Sequence, residues 1–142
     1  MTTRYAVWIA IALPATLSAV ASADTTTLSG VYNEAQARRG ADLYALHCAL
    51  CHGASLSGSY EFPSLTGGFV ARWAGTPLDR LVDYVNRAMP LHQPGALSSA
   101  ESVDLVAFIL EKNRFPSGTG ELSTDANSLG HIQFRAPERL LP

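Results

Sequence analysis

The sequence predicts an all-α domain, and three observations predict it. Three stretches repeat apolar residues at helical spacing, each behind a helix-start signal. Nothing alternates with the period of two that a half-buried strand requires. A long Gly/Ser/Pro-rich segment, from Gly53 to Gly75, separates the first stretch from the second.

The first helix is expected from Asn33, a residue suited to an N-cap, with Glu34 and Gln36 in the first turn. Ala37, Ala41, Tyr44 and Cys48 repeat along one face. The second opens with Thr76-Pro77-Leu78-Asp79, read as a capping threonine, a proline at the first helical position and an acid favoured by the helix dipole. Its stripe is Leu78, Leu81, Val82, Val85 and Met89. The third starts at Ser98-Ser99-Ala100-Glu101, a capping box, and runs through Val103, Leu105, Val106, Phe108, Ile109 and Leu110. Beyond Phe115 the chain turns polar, with Leu122, Leu129, Ile132 and Phe134 scattered through it. Residues 116–142 are a tail or a strap over the domain, and the scattered apolar side chains favour the strap.

The N-terminus reads as an export signal, residues 1–23. Arg4 is the one charge before Asp24, Tyr5 to Leu13 is apolar, and Ala21-Ser22-Ala23 is a small-residue cleavage site. A retained membrane anchor is the competing reading, but Pro14, Thr16, Ser18 and Ser22 leave the run short of the roughly 20 residues a spanning helix needs. Cleavage after Ala23 leaves residues 24–32 as an N-terminal extension and 33–115 as the domain proper. Loss of the single charge on Arg4 takes the formal charge from −2 to −3. Clustered Lys and Arg are lacking, which argues against nucleic-acid binding. After cleavage no stable membrane insertion is expected, and the location is the periplasm of a Gram-negative bacterium.

The chain's two cysteines stand in His47-Cys48-Ala49-Leu50-Cys51-His52. A disulfide over so short a loop removes little entropy from the unfolded chain, so the pair calls for a chemical explanation. Cys-x-x-Cys-His is the attachment signal for c-type haem. On a helix, positions i, i+3 and i+4 share a face, so two thiols meet the haem vinyl groups while the imidazole of His52 reaches the iron. A zinc site would need a second pair of ligands. A redox dithiol would follow a strand in an alternating strand–helix pattern. One covalent haem c, on Cys48, Cys51 and His52, is the reading.

With Met1 removed, Met89 is the sole methionine, in Arg87-Ala88-Met89-Pro90. Pro90 ends the helix and lets the thioether turn inward as the second axial ligand, which suits an electron carrier. His92 is the rival ligand. His47 is expected to face away from the attachment triad, and His131 lies in the tail. The long loop wraps the haem, whose burial supplies apolar area worth roughly 25 cal/mol per Å2 that a small domain otherwise lacks.

Over Glu34 to Phe115 the chain resembles the class I cytochrome c family: helix, Cys48-x-x-Cys51-His52, extended loop, Met89-Pro90, C-terminal helix. The resemblance implies three main helices around one haem, with Gly40 and Tyr44 meeting Phe108. It implies that the Pro63 carbonyl accepts a hydrogen bond from His52, that Trp73 donates to a haem propionate, and that Arg72 is a weaker candidate for that role. More narrowly, Phe69-x-x-x-Trp73, Met89-Pro90-x-x-x-Pro94-Gly95-x-Leu97-Ser98 and Asn113-x-Phe115-Pro116 look like cytochrome domains found with periplasmic quinoprotein dehydrogenases.

The function implied is single-electron transfer, from a dehydrogenase, with a quinoprotein as the suggested donor, to a terminal oxidase or another cytochrome. The protein itself is then an electron carrier and not an enzyme. Two alternatives stay open: a five-coordinate haem enzyme or gas sensor, and a fixed cytochrome subunit of a dehydrogenase complex.

Overall fold

The computed structural model describes residues 25–138, so the expected export signal lies outside it. Its architecture follows from one helix. Helix α5 (Ser99–Lys112) has every residue from Ser102 to Leu110 buried, so the other elements pack around it. Ser98 caps it as expected: its hydroxyl accepts from the Glu101 N–H at 3.2 Å, and Glu101 Oε2 accepts from the Ser98 N–H at 2.8 Å.

Helix α1 (Glu34–His47), capped by Asn33 Oδ1 on the Gln36 N–H at 2.9 Å, crosses α5. Gly40 makes the crossing possible. A Cβ there would lie 1.9 Å from the Asp104 carbonyl oxygen and 2.8 Å from the Phe108 Cβ. Tyr44 then stacks on Phe108, with ring centroids 5.1 Å apart. The expected continuous face through Cys48 is interrupted. Cys48 leaves helical geometry (φ −122°, ψ −36°), and a separate turn, α2 (Ala49–His52), carries the rest of the motif.

The segment from Gly53 to Gly75 is not all loop. Phe69, Val70, Trp73 and Ala74 pack against the core, and their spacing winds Gly68–Trp73 into a short helix, α3. Helix α4 (Leu78–Ala88) follows, burying Leu78, Leu81, Val82 and Val85 as the stripe predicts. Its N-cap is Pro77, not Thr76. The Thr76 hydroxyl donates instead to the Trp73 carbonyl at 2.8 Å, because the chain turns at Gly75 (φ +83°) and brings that carbonyl within reach.

Residues 117–138 run back across the domain as a strap, with a five-residue helix, α6 (Ala126–Gly130), in its middle. Leu122, Leu129 and Phe134 are buried, and Phe134 meets Phe115 edge-on at 5.3 Å. Gln36 is paired reciprocally with Leu122: its Nε2 donates to the carbonyl at 3.1 Å and its Oε1 accepts from the N–H at 2.8 Å. The strap's far end adds backbone pairing, with Gln133 bridging Thr26 in parallel and Pro77 in antiparallel sense. Among the described residues these isolated bridges are the nearest approach to a sheet, so the chain is all-α.

Arg39 ties the strap to the helix crossing. It donates to both Asp104 oxygens (2.8 and 3.0 Å) and both Glu121 oxygens (3.0 and 2.9 Å). The guanidinium holds the Glu121 carboxyl below its ordinary 4.5, and the Ser128 hydroxyl and N–H hold Asp125 on the same strap below its ordinary 3.8. A depressed carboxylate contributes stability that is complete above the unfolded value and lost as pH falls through the folded one. The thermal midpoint should therefore decline as pH drops below about 4.5. The decline is modest, since these groups face solvent. In a melting series from pH 7 to 3, Arg39→Ala should lie below the wild type at neutral pH and show a flatter acid limb.

Candidate haem site

The site is assembled at the end of α1. The Tyr44 hydroxyl donates to the Gly53 carbonyl at 2.7 Å, tying the helix to the residue just after the motif. Although α1 has ended, the Cys48 carbonyl accepts from the N–H groups of Cys51 (3.1 Å) and His52 (2.9 Å). One turn is thus preserved across the break, and the i, i+3, i+4 relation of Cys48, Cys51 and His52 stands.

The loop then folds back on this turn. Gly58 N–H donates to the His52 carbonyl at 2.8 Å, and Leu65 N–H to the Leu56 carbonyl at 2.9 Å. Gly58 must be glycine. Its φ is +73°, and a Cβ would come within 2.5 Å of the Phe62 oxygen and the Ser64 nitrogen. The reversal brings the Pro63 carbonyl to 2.8 Å from His52 Nδ1. A carbonyl only accepts, so Nδ1 carries the proton and Nε2 is left with the lone pair a metal needs. Asn113 anchors the far end of the loop, donating to the carbonyls of Leu65 (2.9 Å) and Ile109 (2.8 Å).

These elements enclose a cavity of about 800 Å3. Such a volume lies in the upper part of the roughly 300–1,000 Å3 range of cofactor and ligand sites. Cys48, Cys51 and His52 line it, as do Pro63, Arg72 and Trp73. Met89 lines it too: α4 ends at Ala88, Met89 is extended, and its half-buried side chain faces the cavity. Every side chain expected at the site is therefore brought to one cavity. Leu81 and Val85 of α4 and Leu105 and Ile109 of α5 supply apolar wall. Trp73 stands between Phe69 and Tyr84, with ring centroids 6.3 and 5.8 Å away.

Two placements differ from expectation or extend it. His47, exposed as anticipated, nevertheless lines the cavity. Phe62 and Tyr84 also line it, and sequence reasoning missed both. Tyr84 sits one residue before Val85, at the margin of the α4 stripe, and that position was its signal. His92 is exposed at the lining, whereas His131, at the end of α6, does not line the cavity.

The donor set fits a haem and not a bare ion. Among the described residues no three His, Cys, Asp or Glu side chains converge to hold a metal. A macrocycle supplies its own equatorial ligands and needs only axial donors from the protein, for which imidazole and thioether are suitable. Burial, then the neighbouring Cys51, pushes the Cys48 thiol up to about 11. Burial, then Cys48, likewise raises the Tyr44 hydroxyl to about 12, so it stays a donor to Gly53 across the physiological range.

Comparison with known proteins places the chain in a family. The chain is 31% identical over 84 residues to thiosulfate dehydrogenase of Stutzerimonas stutzeri (strain A1501), covering 54% of this chain and 27% of that one. It thus spans about a quarter of that relative's length. Among solved structures it is similar to the sulfane dehydrogenase SoxCD from Paracoccus pantotrophus, with a TM-score of 0.45, 28% identity, and coverage of 75% of this chain and 58% of that chain. Residues 35–109 match the family model described as cytochrome C oxidase, cbb3-type, subunit III. With more than half its length inside that match, the chain belongs to this family of cytochrome c domains.

Proposed function

We propose that the protein is an exported, periplasmic mono-haem cytochrome, with one haem c joined to Cys48 and Cys51 and axially bound by His52 and Met89. Membership of a cytochrome c family already makes it an electron-transfer domain. The observation that carries the finer reading is convergence. Both thiols, an imidazole with its Nδ1 tied off at 2.8 Å and the Met89 side chain all meet one largely apolar cavity. Bound haem supplies reversible one-electron chemistry at its iron.

The chain's own residues do the rest. Pro63 fixes the His52 tautomer, Met89 closes the second axial position, and Leu81, Val85, Leu105 and Ile109 keep bulk water away. Arg72 and Trp73, both on the lining, are the candidates to meet the cofactor's carboxylates. Electrons are taken from a dehydrogenase, with a quinoprotein as candidate donor, and passed to a terminal oxidase or another cytochrome. The likeness to a protein named thiosulfate dehydrogenase supports a dehydrogenase as partner. The same likeness also supports a second reading, as the fixed cytochrome subunit of a dehydrogenase complex.

The test is expression with haem-maturation machinery, followed by intact mass and absorption spectra. The expected mass is the chain from Asp24 plus one haem, with the weak long-wavelength ferric band of sulfur ligation. Cys48→Ala with Cys51→Ala should remove the covalent haem mass entirely. A wild-type chain without covalent haem refutes the reading. Co-purification with a dehydrogenase separates the fixed subunit from the diffusible carrier.

A further inference from the structure

We propose that the C-terminal strap is a positioning element for the cofactor cavity: Ile132 to Phe134 clamp the α3–α4 corner and thereby hold the Trp73 wall in place. The proposal rests on the haem reading above and concerns a segment that does not itself line the cavity.

The clamp is built from backbone. Gly75 N–H donates to the Phe134 carbonyl at 2.8 Å, Phe134 N–H to the Thr76 carbonyl at 2.8 Å, and Leu78 N–H to the Ile132 carbonyl at 2.9 Å. The Leu78 N–H is one of the donors that the first turn of α4 leaves without an intrahelical partner, so the strap caps that helix from outside. On its other edge Gln133 exchanges bonds with the N-terminal extension, its N–H donating to Thr25 O at 2.9 Å and its carbonyl accepting from Thr27 N–H at 3.0 Å. The strap is wedged between two segments and cannot slide along either.

From the corner the constraint reaches the site in one step. Thr76, whose carbonyl the strap holds, donates its hydroxyl to the Trp73 carbonyl at 2.8 Å. Trp73 in turn packs on Tyr84, and both line the cavity. Phe134, 1% exposed against Phe115, anchors the clamp. Releasing it frees Gly75, Thr76 and Trp73 together and lets water approach the cofactor. A wetter site favours the more charged ferric state and lowers the reduction potential.

The experiment uses the holoprotein and compares Phe134→Ala with Thr76→Val, which keeps the side-chain volume and the strap but deletes the hydroxyl bond to Trp73. Amide exchange at Gly75 and Leu78 reports the clamp, and redox titration reports the cavity. In Phe134→Ala the expected result is faster exchange at both amides and a roughly tenfold shift toward ferric at fixed potential, ~59 mV for a one-electron couple. Thr76→Val should move the potential the same way by about twofold, ~18 mV, with Gly75 and Leu78 still protected. In a Trp73→Phe background the effect of Phe134→Ala should shrink, since the two act through one wall. Faster exchange with an unchanged potential would overturn the proposal and leave the strap purely stabilising, as would an unmoved potential in Thr76→Val should Phe134→Ala fail to fold. Absence of covalent haem from the wild type is a different failure, that of the cofactor assignment, and is seen by mass before any titration.

Discussion

Gly40→Ala should cost the domain more than ~3 kcal/mol, and in a protein of ordinary stability, about 5–15 kcal/mol, it should largely prevent accumulation of holoprotein. Helix propensity alone predicts the opposite, since alanine is favoured over glycine within a helix by about 1 kcal/mol. Geometry decides the sign. The added methyl would stand 1.9 Å from the Asp104 carbonyl oxygen and 2.6 Å from its carbon. Both are backbone atoms of α5 and cannot rotate away, so the helices must separate. Separation pulls Tyr44 from Phe108 and loosens the Tyr44–Gly53 bond that fixes the end of the haem motif. Chemical denaturation and haem yield should fall together. Gly120→Ala is the control: nothing lies within 4 Å of its added methyl, and it should be nearly neutral. A Gly40→Ala protein as stable as the wild type would mean that the helices do not cross as closely as described.

Met89→Ala should open the second axial position and raise the affinity for external ligands such as imidazole or carbon monoxide by roughly 10- to 1,000-fold. The range follows from competition. If the methionine is dissociated in about 0.1–10% of molecules, an outside ligand binds the wild type more weakly by that same fraction. Removing the thioether removes the competitor, and the long-wavelength sulfur band should vanish with it. His92 supplies the contrary outcome. It also lines the cavity, so if the band is absent in the wild type and unchanged affinity follows Met89→Ala, His92 is the ligand and the site is bis-histidine. If the wild type already binds external ligands freely, the open-iron enzyme or sensor reading gains the ground.

Both experiments probe features that differ in how early they can be read. The glycine at position 40 carries no chemical signal of its own; its role came only with the family resemblance, and the helix crossing supplies the reason. Met89 is legible as the one methionine left once Met1 is removed and from the Pro90 behind it, and the structure adds that its side chain reaches the cavity where His52 stands. Thr76 shows the limit of local reasoning. A threonine before a proline has the composition of an N-cap, yet its hydroxyl found a better acceptor in Trp73 once Gly75 turned the chain. Helix α3 was hidden by the glycines and serines around it, because six residues give too short a window for periodicity to show.

What the sequence determined by itself is what depends on near neighbours: the all-α class, the Asn33 and Ser98 caps, the apolar stripe of α4 and the cofactor class written into Cys48-x-x-Cys51-His52. These rest on spacing within a turn or two, where backbone geometry leaves few choices. Tertiary structure alone decided the reciprocal bonds between Gln36 and Leu122, the place of Phe62 and Tyr84 on the cavity wall, and the wedge that Ile132 to Phe134 form between the extension and α4. Those contacts join segments up to 108 residues apart, as in the Thr27–Arg135 bond. They arise because a chain this short must bury its scattered apolar residues somewhere. Leu122 is buried beside Gln36 of α1, Leu129 on the α6 turn that packs on α4, and Phe134 against Phe115.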